Sequence, residues 1–226
     1  MAAILLFVMG AGCASVGSEP ADRAEPYDPV RRAVRLETTG CGYASGRTGS
    51  GVAVGDGLVL TVAHVVVQAD AIAASVGDGE PVTAVVTSVD LSRDLALLRL
   101  PPNGIPDVET ATVDEGAEGL IVGGAASGTV SFEVKEVVTL TIEEVFGTDR
   151  HSRKGYSVAA VTASGDSGAG AYDEEDRMIG IVFATGQDDA TSWITSSTET
   201  SDFLSDHATD VSPIVCNSEK SRLDLA

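Results

Sequence analysis

The feature that most constrains this chain is a succession of short apolar runs, each ended within a few residues by Gly, Asp or Pro. VRLETTG, GVAVGDGLVLT, AIAASVG, PVTAVVTSV and LALLRL follow one another from Val34. After Gly119 the series resumes with GLIVGG, VSFEVKEVVTLTIEEV, GYSVAAV, GAGAY, MIGIVFA and TSWIT. Runs this short, rich in β-branched residues and split by turn formers, predict strands rather than helices. About a dozen of them imply an all-β sandwich or a pair of barrels. GVAVG and LVLT flank Asp56-Gly57, which predicts a tight hairpin. The stretch PPNGIPD, from Pro101 to Asp107, breaks the pattern and reads as a crossing between two lobes. Thr198 to Ser205 (TETSDFLS) predicts a short helix capped by Thr198, with acidic side chains near its positive end.

Composition narrows the class. Hydrophobic residues make up 43% of the chain, enough for a substantial core, which excludes a fully disordered polymer. The 34 acidic residues outnumber the 14 basic ones, for a net charge of −20. Nucleic-acid binding needs a basic face to neutralise phosphates, so no nucleic-acid partner is expected. The apolar run Ala2 to Met9 is too short to span a bilayer. It resembles the apolar region of an export signal, though without the positive stretch that should precede it. GAGCAS around Cys13 resembles a bacterial lipobox, with Gly10 where Leu is more usual. Residues 1–12 are therefore read as a signal-like segment and 13–33 as a flexible tether, rich in Ser, Glu, Asp and Pro. Lipidation of Cys13, with anchoring to a membrane, and secretion after cleavage are both open. Either route exports the protein to the cell envelope or beyond. With Cys13 lipidated or removed, Cys41 and Cys216 remain, and an oxidising compartment permits a disulfide between them. Two free thiols are the alternative. No second Cys or His sits near any of the three at ligand spacing, so neither a metal site nor a cofactor is expected.

Three strings carry chemistry. TVAH (61–64) places His64 directly after an apolar strand. SRDLALLRL (92–100) places Asp94 at the start of another. SGDSGAG (164–170) sets Ser167 among glycines. A nucleophilic Ser needs a neutral imidazole to take its proton, and a buried carboxylate to hold that imidazole in one tautomer. It also needs backbone N–H donors aimed at the developing oxyanion. Gly165 permits a turn in which its own N–H and that of Ser167 converge.

TVAH, RDLALL and GDSG, in that order, resemble the trypsin-like (chymotrypsin-fold) serine peptidases from about Val34 to Leu204. The short separations resemble the compact bacterial branch, which includes the high-temperature-requirement proteases and the periplasmic acid-resistance proteases of actinobacteria. MIGIVFATGQDDATSWITSSTETSDFL is similar to the second group, as are Cys41 before the first glycine-rich strand and a later Cys past the last element. The resemblance implies two six-stranded antiparallel β-barrels with the active site between them and a short C-terminal helix. It places a protease domain over 34–206, with barrel 1 at about 34–100 and barrel 2 at about 108–197, and a polar tail over 207–226. It implies a His64–Asp94–Ser167 triad, an oxyanion hole at the Gly165 and Ser167 N–H groups, and a polypeptide substrate cleaved through an acyl-enzyme. A catalytically silent envelope binding protein and an esterase are the competing functions.

Two departures matter. Ala169 and Gly170 replace the last two residues of the family's GDSGGP. The string IVGG, which in animal members marks the activation cut, lies here at Ile121 to Gly124 and reads as a core strand. Asp166 must then take other partners, expected to be backbone N–H groups. The pocket base in the family pattern falls on Val161, with Thr162, Phe183, Ala184 and Thr185 nearby. No carboxylate is among them, so a preference for small or medium uncharged residues is expected. The basic run Arg150 to Lys154 reads as a solvated loop.

Overall fold

The computed structural model describes residues 28–40, 46–125, 127–143, 148–186 and 190–207. Cys13, Cys41 and Cys216 lie outside them, so the lipidation and disulfide expectations fall on residues not described, as do the signal-like segment and most of the tail.

Twelve strands form two closed six-stranded barrels. The first contains β1 (Ala33–Gly40), β2 (Thr48–Gly55), β3 (Leu58–Thr61), β4 (Ala69–Val76), β5 (Val82–Asp90) and β6 (Leu95–Arg99). Its order is β1-β2-β3-β6-β5-β4, and it closes where β1 pairs with β4. The second contains β7 (Glu118–Val122), β8 (Thr129–Glu143), β9 (Arg150–Ala159), β10 (Gly170–Tyr172), β11 (Met178–Thr185) and β12 (Thr191–Ser196). It closes where β10 pairs with β7. Every ladder within the barrels is antiparallel; each barrel closes on itself, while β8 and β9 run on beyond the second as a two-stranded ribbon in which Thr139–Glu143 pair with Arg150–Lys154. The β2–β3 hairpin turns at Asp56-Gly57 as the sequence predicts. Ile121 and Val122 are buried at the end of β7, so the first half of IVGG is core strand, while Gly123 and Gly124 leave the strand half-buried.

Two apolar cores hold the barrels. Val34, Leu36, Val52, Val59, Leu60, Leu97 and Leu98 belong to the first, where β3 and β6 are buried on both faces, and Ile121, Phe132, Val134, Val158, Ile179 and Ile194 to the second. The first core continues across the seam to Tyr172, Met178, Ile181 and Phe203. Phe203 belongs to the closing helix (Ser197–His207) and is fully buried, so truncating it to Ala would cost about 3–5 kcal/mol. That helix is longer at both ends than the predicted 198–205.

The tether ends earlier than 33. Asp28 accepts the Val30 N–H and caps a single helical turn over Pro29–Arg32. Arg32, 4% exposed, donates to the carbonyls of Ala53, Pro106 and Asp107. A charge in that setting is orderly only because carbonyl oxygens surround it. The crossing segment PPNGIPD is thereby fastened to the first barrel. Asp56 fastens its other end, accepting the N–H groups of Asn103 and Gly104, and these bonds hold its carboxyl below the usual range.

Candidate active site

The first barrel presents His64 already bonded. After β3 the chain turns into one helical turn, Ala63–Val66, and Val62 offers no side chain to cap it. The first N–H groups of a helix lack partners within it. Asp94 supplies them from the β5–β6 turn: its carbonyl accepts Ala63 N–H at 3.1 Å and its Oδ1 accepts His64 N–H at 2.9 Å. Its other oxygen lies 2.7 Å from His64 Nδ1. Asp94 is 5% exposed and sits at φ 53°, a left-handed conformation that Asp tolerates better than most side chains. A carboxylate against Nδ1 fixes the proton there and leaves Nε2 as the basic nitrogen. Arg47 Nη1 donates to the His64 carbonyl at 2.7 Å. The turn is shaped by Asp90: burial works to raise its carboxyl, but bonds from Ser92 and Arg93 hold it below the usual range.

The second barrel presents Ser167 on a turn with two left-handed glycines, Gly165 at φ 106° and Gly168 at φ 90°. Asp166, 1% exposed, takes Ala163 N–H at 2.8 Å, Ser127 N–H at 3.0 Å and Ser127 Oγ–H at 2.6 Å. Its partners are therefore two backbone donors, as expected, and one hydroxyl that the sequence did not disclose. Ala169, the departure from GDSGGP, is fully buried in the second core and donates to the Asp166 carbonyl. The N–H groups of Gly165 and Ser167 have no acceptor among the described residues, and Ser167 Oγ has no partner there either.

Ser50 of β2 joins the two halves. Its N–H donates to the Ser167 carbonyl and its Oγ to the Gly165 carbonyl, both at 2.8 Å. Its own carbonyl accepts the hydroxyl of Thr61, three residues before His64. A Cβ on Gly168 would collide with the Ser50 carbonyl and Thr61 Oγ1. Only glycine lets the nucleophile turn lie this close to the strand that leads into the histidine.

The expected pocket divides. Phe183, Ala184 and Thr185 line a largely apolar groove with Leu140, Ile142 and Trp193. Thr162 is buried behind it, sharing hydrogen bonds with Thr185 and Ser192. Val161, two residues past the end of β9, is 65% exposed and is not among the residues that line this groove. Arg150 to Lys154 is likewise no loop: it opens β9, and Arg153 points inward with 2% exposure. Arg47, Ser50, Ser127 and Arg153 were all missed, since each acts on residues distant in sequence. No group of three or more His, Cys, Asp or Glu side chains suited to hold a metal occurs among the described residues.

Comparison with known proteins bears on these positions. A model of the trypsin-like peptidase domain matches residues 49–181, which include His64, Asp94 and Ser167. The serine proteases Rv3671c and MT3772 of Mycobacterium tuberculosis are each 29% identical over 148 residues, 63% of this chain and 37% of the relative. The chain thus spans little more than a third of the curated relatives it matches. Among solved structures, the active form of the Rv3671c protease superposes with a TM-score of 0.75 at 24% identity, covering 92% of this chain and 100% of that one. The serine endoprotease of Yersinia pestis superposes with a TM-score of 0.65 at 17% identity, covering 78% and 62%. These likenesses show the fold. Because the family match takes in more than half of the sequence, the chain belongs to the trypsin-like peptidases.

Proposed function

We propose that this protein is an exported serine endopeptidase that hydrolyses peptide bonds through an acyl-enzyme. The observation that carries the reading is the pairing of a pre-bonded His64–Asp94 corner with a nucleophile turn whose two N–H groups are unoccupied. The serine-protease names of the mycobacterial relatives agree with it. Ser167 Oγ attacks the scissile carbonyl while His64 Nε2 takes its proton, and Asp94 stabilises the imidazolium through Nδ1. The Gly165 and Ser167 N–H groups stabilise the oxyanion. His64 then protonates the departing amine, and water releases the acyl group by the same steps in reverse.

The preference assigned is for small or medium uncharged residues before the scissile bond, since among the described residues no carboxylate lines the Phe183–Thr185 groove to neutralise a cation. The apolar N-terminal run and the lipobox-like Cys13 support export, and an oxidising destination supports a Cys41–Cys216 bridge. A fluorophosphonate probe tests the core claim. The parent protein is expected to label covalently and to hydrolyse peptides, and Ser167→Ala to do neither. No labelling of folded parent protein would leave a silent binding protein on the same fold, and esters cleaved without peptides would make it an esterase. A cleavage profile dominated by Lys or Arg would refute the pocket.

A further inference from the structure

One buried cation is not used by this mechanism. Arg153 of β9 is 2% exposed, yet it forms no ion pair among the described residues. Its Nη1 donates to the carbonyl of Arg93, the residue directly before Asp94, and its Cζ lies 3.9 Å from the centre of the Phe183 ring. Nε and Nη2 are buried without a partner. Burial lowers the guanidinium to about 10, against the opposing pull of the Asp94, Glu199 and Asp90 carboxylates, so it stays charged at neutral pH. A buried charge left this incompletely bonded is costly and needs a reason.

We propose that Arg153 is a positioning residue of the triad: from the second barrel it clamps the Arg93–Asp94 peptide against Phe183 and sets the charge that Asp94 presents to His64. The inference rests on the triad reading above. A carboxylate beside an imidazole favours the imidazolium, and a cation near that carboxylate opposes the effect. The charged groups facing this position are Asp94 and His64 of the catalytic corner, Asp90 and Arg93 of the β5–β6 turn, and Glu199 of the closing helix. Glu199 is itself tied to Arg93 and to the Lys154 N–H. The clamp also joins the triad to the substrate groove, because Phe183 lines that groove.

Arg153→Gln removes the charge and keeps a donor for the Arg93 carbonyl, whereas Arg153→Lys keeps the charge and loses the planar fork. In the full-length protein, the acid limb of kcat/KM is expected to move to higher pH by roughly half to one unit in the Gln variant. The Lys variant should hold the parental limb while kcat falls about tenfold at unchanged KM. Nitrogen-15 NMR of the His64 ring in the Ser167→Ala background reads the same shift without turnover. Failure of the peptidase reading would therefore show as missing hydrolysis, not as a missing shift. A Gln variant whose His64 titration stays within about 0.2 unit of the parent overturns the proposal, even if it melts lower. If the Gln variant does not fold, a Lys variant with parental kcat overturns it equally.

Discussion

Asp94 and Asp166 are the same side chain, buried on either side of the proposed site at 5% and 1% exposure, and each satisfied by three short contacts or fewer. What differs is the partner. Asp94 holds a backbone N–H and an imidazole nitrogen that can carry or release a proton. Asp166 holds two backbone N–H groups and a serine hydroxyl, none of which titrates near neutrality. Burial alone therefore does not tell the two apart; one carboxylate faces a titratable ring, and the other faces the backbone and shapes a turn.

The sharpest way to break this contrast is Asp94→Asn. Its Oδ1 can still cap the helical turn, but its amide donates to Nδ1 and forces the proton onto Nε2. kcat is expected to fall about 10⁴-fold with the melting temperature little changed. A loss below tenfold would place Asp94 with Asp166, as architecture. Asp166→Ala should show the opposite balance, orphaning the donors of Ala163 and Ser127. Stability should drop by about 2–3 kcal/mol and activity by roughly tenfold to a hundredfold, both read on one preparation by denaturant unfolding and peptide turnover. Intact stability would show that the turn does not depend on its carboxylate.

A third carboxylate sharpens the comparison with the smallest effect. Partial desolvation, together with Asp28 and Asp173 nearby, raises Asp176 above the usual range. The fold thus penalises its ionised form: stability is lost as pH rises from the ordinary aspartate value through the raised one. Asp176→Asn should raise the melting temperature by about 1 °C at neutral pH, and by nothing near pH 3. Asn also suits the φ of 61° found there. A stabilisation that persists in acid would point to the backbone instead of the charge.

The strands, the hairpin at Asp56-Gly57 and the strand that begins IVGG were legible because each is a local pattern of alternation or turn chemistry. Arg153 was not, because RHSRKGY reads as polar whichever way it faces. Only pairing with β8 and the Phe183 ring across the sheet turns one of its arginines inward. Arg32 misled in the same way, since the carbonyls that bury it lie as far off as Asp107. The exposure of Val161 was equally hidden, because a spacing counted along the chain does not report where the chain leaves a strand.

Ser50 has a consequence for how the two barrels work as one. It sits in the first barrel, yet its N–H and hydroxyl fasten the carbonyls of Ser167 and Gly165 in the second. Asp166 shapes the turn from within the second barrel, and Ser50 adds two anchors from the first. Under the proposed function, the working shape of the Ser167 turn therefore depends on how the two barrels dock as well as on how each one folds.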